Sequence, residues 1–207
     1  MRAPDFEHVL STTRSVRRRL DFERPIPPDV IEAAIDLAVQ APTGAGREGW
    51  RFLVITEPER KRALADLYRR AFERYAAVRA ASGGPAPRAS QRALAERLHE
   101  VPALILACVE GRPEPGNLAQ QVALFGSILP AAWSLMLALR ARGLGSTWTT
   151  LHLVHEREAA VALGIPDGVT QTVLLPVGYL RDARMAPAKR RPAREVTFWN
   201  AWGQTRD

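Results

Sequence analysis

Near the start of the chain, Thr13-Arg14-Ser15-Val16-Arg17-Arg18 places guanidinium groups and a hydroxyl within a few residues of one another. That is the donor set a phosphate needs: a planar fork that pairs bidentately, a fixed positive charge and a short hydrogen-bonding group. A basic helix C-terminus, with cations at the negative end of the macrodipole, would also collect arginines. The hydroxyl between Arg14 and Arg17 favours the phosphate, because a solvated helix end has no use for it. Further on, Ala41-Pro42-Thr43-Gly44-Ala45-Gly46-Arg47-Glu48-Gly49-Trp50 leaves a helix through a turn and enters an aromatic-led strand. Glycine has no Cβ to hold a ligand away, so this turn can bring backbone amides close to a planar ring. By itself it is equally a helix stop.

Gly143-Leu144-Gly145-Ser146-Thr147-Trp148-Thr149-Thr150 is a small-residue turn followed by a hydroxyl-rich strand. Backbone N–H groups and the hydroxyls of Thr147, Thr149 and Thr150 can face a heteroaromatic edge, or the threonines can simply serve strand propensity. Lys189-Arg190-Arg191-Pro192 in the tail is either a solvated charge run or a second source of phosphate contacts. The histidines His8, His99, His152 and His155 show no metal-ligand spacing with a carboxylate partner, so no metal site is expected. His152 and His155 follow the threonine strand closely enough to act as donors to a substrate. Cys108, the only cysteine, lies in the apolar run Ala103–Val109 and reads as an inert buried thiol. No Gly-x-Ser-x-Gly elbow is present, and no Gly-x-Gly-x-x-Gly follows a strand.

Several elements must position these groups. Asp5 to about Val16 reads as a helix ending in the arginines, followed by the Pro-rich connector 21–28. A second helix begins near Pro28, with Val30, Ala33, Ala34, Leu37 and Ala38 at helical spacing. Trp50–Thr56 reads as a strand, Glu57–Ala80 as a long helix, and the Gly/Pro-rich stretch 82–87 as a break before a helix over 90–100. Pro102–Val109 reads as a strand buried on both faces. Leu118–Arg142 reads as the central helix, kinked or locally defective at Pro130. Ser146–Thr150 and Thr170–Val177 read as strands, with a brief helix over Glu156–Leu163 between them. The count is four strands and about six helices without strict alternation, an α+β layered domain.

The 207 residues, 46% hydrophobic and 25% charged, suffice for one domain with a sizeable core. The net charge of +7 comes almost wholly from arginine, since Lys61 and Lys189 are the only lysines. The arginines are scattered among acids, which fits an anionic ligand better than nucleic acid. The N-terminal residues lack a signal-peptide core and no apolar run reaches the roughly 20 residues of a membrane span. A single cysteine gives no sign of an oxidising compartment, and a cytoplasmic location is expected.

Taken in order, these segments resemble the nitroreductase-like flavoprotein family over nearly the whole chain. The shared features are the Arg-Ser-x-Arg motif, the Pro-Thr-Gly turn before a Trp-led strand, the central helix ending in Gly-Leu-Gly, the Pro176-Val177-Gly178-Tyr179 strand end and the basic-Pro tail. The resemblance implies an antiparallel sheet flanked by helices in an interlocked homodimer, with FMN sites between the subunits. It implies that Arg14, Ser15, Arg17 and Arg190 hold the FMN phosphate. It places Pro42, Thr43 and Gly44 near the ring, and Thr147, Trp148, Thr149 and Thr150 near its reactive N5 edge. It further implies ping-pong reduction by NADH or NADPH of a small electron-poor acceptor, such as a nitroaromatic, quinone or activated alkene. No dedicated catalytic side chain, nucleic acid or membrane is expected. Specialised branches perform dehalogenation, dehydrogenation or flavin fragmentation, and a flavin-sequestering protein is the non-enzymatic alternative. Thr13 stands where the family often has Arg, Gly46 where it usually has Asn, and Glu48-Gly49-Trp50 where it has Gln-Pro-Trp.

Overall fold

The computed structural model describes residues 5–181 and 184–206. Its helices are α1 (Phe6–Thr12), α2 (Pro28–Ala38), α3 (Pro58–Ala81), α4 (Ala89–Arg97), α5 (Leu118–Ala141) and α6 (Glu156–Leu163). Its strands are β1 (Leu20–Asp21), β2 (Trp50–Ile55), β3 (Ala103–Glu110), β4 (Leu144–Ser146) and β5 (Val169–Leu180). All strand pairs are antiparallel, in the order β1-β5-β3-β2, with β4 also on β5. The fold is α+β, an antiparallel sheet between helical layers.

Strand alternation divides the core in two. Leu104, Leu106 and Cys108 of β3, with Leu174 of β5, pack against α3, α4 and α6. Ala103, Ile105, Ala107 and Val109, with Val173, Leu175 and Val177, pack against α2 and α5. Because helices cover both faces, β3 is apolar at every position until Glu110. On α3, Leu64, Leu67, Tyr68, Ala71 and Phe72 are buried at the three- and four-residue spacing of one helix face. The helices α2 and α3 each begin with proline, whose missing N–H costs nothing in a first turn.

Three expectations change. Helix α1 stops at Thr12: the Thr13 N–H still bonds to the Val9 carbonyl at 3.0 Å, but Thr13 itself is extended, with φ −69° and ψ 130°. The hydroxyls of Thr12 and Thr13 bond back to the carbonyls of His8 and Val9, each at 2.6 Å. The arginines therefore lie beyond the helix. The connector contains a strand, β1, whose pairing (Leu20 with Leu180, Asp21 with Tyr179) is non-local. The short strand after α5 is Leu144–Ser146 rather than Ser146–Thr150. Helix α5 continues past Pro130, which has no N–H to give the carbonyl of Gly126. By length and composition α5, with a mean hydropathy of 2.0, is also long and apolar enough to cross a membrane, although small polar residues interrupt its apolar run. In the structure it packs on the sheet and α2.

Candidate functional site

The segment after α1 is held by three hydrogen bonds to the chain around β4. Val16 N–H donates to the Ser146 carbonyl at 2.9 Å, and the Thr147 hydroxyl donates to the Val16 carbonyl. Trp148 N–H donates to Ser15 Oγ at 2.9 Å. With Oγ accepting that bond, the Ser15 proton is left to point elsewhere. Val16 is buried, and Arg14 and Arg17 on either side of it are half-buried. A cavity of about 500 Å3 gathers Arg14, Ser15 and Arg17 with Arg18, Arg19, Arg88, Ser90 and Arg184. Arg190 does not line it. It lies exposed on the tail, and Arg184 is the tail residue that reaches the cavity. Arg88 and Ser90 carry no local motif; only the Pro-bounded loop before them marked the region as distinctive.

The threonine segment continues along β5 beyond β4. Thr147 N–H donates to the Pro176 carbonyl at 3.2 Å, and Thr149 exchanges bonds with Leu174 at 3.1 and 2.9 Å. Thr147 and Thr149 are buried and face inwards. The Thr149 hydroxyl donates to the Tyr68 hydroxyl at 3.1 Å, on the inward side of the segment. Tyr68 itself is buried. Desolvation pushes its phenol pKa up, against the hydrogen bond from Thr149 and the charge of Arg17. Trp148 and Thr150 face the other way, into a mostly apolar cavity of about 340 Å3 walled by Phe125, Leu129, Leu153 and Gln171. The Thr150 N–H has no partner among the described residues.

Pro42, Thr43 and Gly44 lie elsewhere. Gly44 N–H donates to Ser127 Oγ at 2.9 Å, and Ser127 donates to the Ala123 carbonyl at 2.8 Å. A Cβ on Gly44 would sit 3.3 Å from both Ala123 O and Ser127 Oγ, so this close approach to α5 favours glycine. The next two residues are left-handed, Ala45 at φ 54° and Gly46 at φ 65°. Asparagine tolerates that conformation better than other side chains, which makes Asn and Gly natural alternatives at position 46. A cavity of about 220 Å3 here shares no lining residue with the arginine cavity. One chain thus unites the arginine and threonine segments and leaves the turn apart.

This architecture is matched by a family model, described as Nitroreductase family, over residues 10–179. The chain belongs to the nitroreductase family. It is therefore a flavoenzyme of the oxidoreductase type in the broad sense. Iodotyrosine deiodinase 1 of Mus musculus is 31% identical over 201 residues, covering 95% of this chain and 70% of the relative. A NADH dehydrogenase of Thermus thermophilus is 30% identical over 200 residues, covering 90% and 91%. Among solved structures, oxidized iodotyrosine deiodinase bound to FMN and 3-iodo-L-tyrosine superposes with a TM-score of 0.69 at 23% identity, covering 95% of this chain and 99% of that one.

The remaining reactive side chains of this nitroreductase-family chain are quiet. Burial pushes the Cys108 thiol up to about 12, with the Glu156 charge adding to it, so the nucleophilic thiolate does not form at neutral pH. Burial lowers His152 to about 4 against the attraction of Glu156, and neither ring nitrogen has a partner. His155 pairs with Glu158 at 2.8 Å. Among the described residues no group of three His, Cys, Asp or Glu could hold a metal ion.

Proposed function

We propose that the chain binds FMN through its phosphate at Arg14, Ser15 and Arg17. In this reading it works as a homodimeric oxidoreductase driven by NADH or NADPH. The observation that carries the reading is the bond between Trp148 N–H and Ser15 Oγ. It sets the arginine cradle directly against the segment that ends in the unpartnered Thr150 N–H. A terminal phosphate needs forked cations and a hydroxyl donor, and the cradle offers both with no carboxylate among its described lining residues. When bound, FMN supplies the redox chemistry, accepting a hydride equivalent from the reductant and passing electrons to the acceptor. Arg14 and Arg17 fix the phosphate, and the Ser15 proton is free to donate to it. The Thr150 N–H is the donor placed for a ring edge, where negative charge grows on reduction. Trp148, Phe125 and Leu129 supply an apolar wall that excludes water from a planar acceptor.

Assembly completes the site. Gly44, at the end of the Pro42–Gly44 turn, lines a cavity apart from the cradle on the same chain, and a second copy would bring a turn to each cradle. Leu118 and Val122 at the start of α5 are 73% and 62% exposed, an apolar strip that a partner would cover. Nitroaromatics, quinones and activated alkenes are the acceptors this reading favours. Reductive dehalogenation is the second reading, favoured by the deiodinase relative that spans 95% of the chain. Purified protein examined by absorption spectroscopy tests the core of the proposal. The expected result is a flavin spectrum, release of FMN on denaturation, and anaerobic bleaching by NADH or NADPH. Colourless protein that takes up no FMN refutes it.

A further inference from the structure

The arginine cavity carries more positive charge than one phosphate monoester can use. Among the described residues, six arginines line it and no acidic residue does. Outside the cavity several arginines are paired with a carboxylate, as in Arg51–Glu110, Arg70–Glu158, Arg97–Glu100 and Arg112–Glu156. Arg14, Arg17, Arg18 and Arg88 have no carboxylate partner among the described residues. Like charges held in one concave site repel and raise the local concentration of anions.

The cations come from two sources. Arg14 and Arg17 are half-buried on the segment bonded to β4, and with Ser15 they satisfy one phosphate. Arg88 and Ser90 come from the start of α4, and Arg184 from the chain after β5. The loop before Arg88 is pinned. Gly84 N–H donates to the Arg79 carbonyl at 2.9 Å, and Arg79 Nε donates to the Pro85 carbonyl at 3.0 Å. The Arg88 N–H is fixed by the Gln91 side chain at 2.9 Å. The exposed Arg88 side chain is thus held on a defined backbone at the cavity wall.

We propose that Arg88, with Ser90 and Arg184, forms a second anion subsite beside the flavin phosphate cradle, for an acidic group on a small molecule that visits the flavin. The proposal rests on the FMN reading above. Two visitors could carry that group: the reductant, as the 2'-phosphate that distinguishes NADPH from NADH, or the acceptor, as a carboxylate. The recognition is the same for both, charge-assisted hydrogen bonds from a guanidinium with a hydroxyl alongside.

The test uses FMN-loaded protein, checked first by its spectrum, and two pairs of probes followed by flavin absorbance perturbation and calorimetry. One pair is 2',5'-ADP against 5'-AMP; the other is 4-nitrobenzoate against 4-nitrotoluene. The expected result is about a ten-fold or greater preference for the more acidic member of one pair. That preference should collapse in Arg88→Gln and in Arg184→Gln. Preference within the nucleotides assigns the subsite to the reductant, and preference within the nitroaromatics assigns it to the acceptor. Absence of preference in both pairs overturns the subsite, as does a preference that survives both substitutions. Release of FAD instead of FMN overturns it too, by giving the extra arginines to a second flavin phosphate. Protein that holds no flavin overturns the functional reading and the subsite with it.

Discussion

Thr149→Val separates two roles for the threonine segment. The Thr149 hydroxyl is buried and donates to Tyr68 at 3.1 Å, while Tyr68 is 4% exposed. Valine keeps the shape and leaves the Tyr68 oxygen without that donor. A buried polar group left unsatisfied costs about 1–3 kcal/mol. Taking about 2 kcal/mol, a domain of this size should lose roughly 4–8 °C in Tm. Removing both polar groups in Tyr68→Phe/Thr149→Val should cost less than the two single changes added together, because no orphan remains. The flavin reduction potential should stay at the wild-type value, since the hydroxyl points away from the cavity that Trp148 and Thr150 line. Thermal unfolding at fixed FMN concentration and potentiometry on the same preparations measure both effects. A shifted potential with an unchanged Tm would place the hydroxyl at the flavin and refute the inward orientation.

Arg17→Ala should weaken FMN binding about ten-fold or more, from roughly 1.5–3 kcal/mol per charge-assisted bond; flavin fluorescence titration of apo-protein reads it, and an unchanged affinity would remove Arg17 from the cradle. Ser15→Ala should lower both FMN affinity and apo-protein stability, because the hydroxyl serves the ligand and Trp148 N–H together; loss of stability alone would make it a latch only. His152 is neutral when folded and its pKa is depressed to about 4, so the unfolded chain takes up its proton first as pH falls. Stability is therefore complete above about pH 6.5 and declines towards pH 4, by about 3 kcal/mol in all. Urea unfolding against pH should show a shallower slope in His152→Leu, and an identical slope would assign the acid sensitivity to other groups. Deleting the chain from Thr197 removes Phe198, Trp199 and the 92%-exposed Trp202. Sedimentation should then show aggregate or unfolded monomer, whereas a well-folded, FMN-loaded monomer would contradict the role of the tail in assembly.

What the sequence made legible followed locality. The helices α2, α3, α5 and α6 and strands β2, β3 and β5 announce themselves through period, proline starts and β-branched runs. Strand β1 does not, because two residues have no period and are fixed by partners far away in the chain. The end of α1 is set by the extended backbone of Thr13, a local change that apolar spacing does not record. The proposed phosphate cradle was legible since Arg14, Ser15 and Arg17 are neighbours in sequence. Arg88 and Arg184 were not, as they join it only through folding.

The same contrast explains the threonine segment, and it bears on how the site works. Residue types alone could not say which hydroxyls face a ligand. Orientation follows from register, and here the exchange between Thr149 and Leu174 turns the odd-numbered threonines into the core. Ser15 then becomes the joint between two otherwise separate tasks. It takes the Trp148 N–H on one side and has a proton to give on the other, so in the proposed site phosphate binding and the position of the Thr150 N–H would depend on one hydroxyl. A ligand that pulls on Ser15 pulls on the wall of the adjacent cavity, which is why affinity and ring-edge geometry in this chain should change together at Ser15 and separately at Thr149.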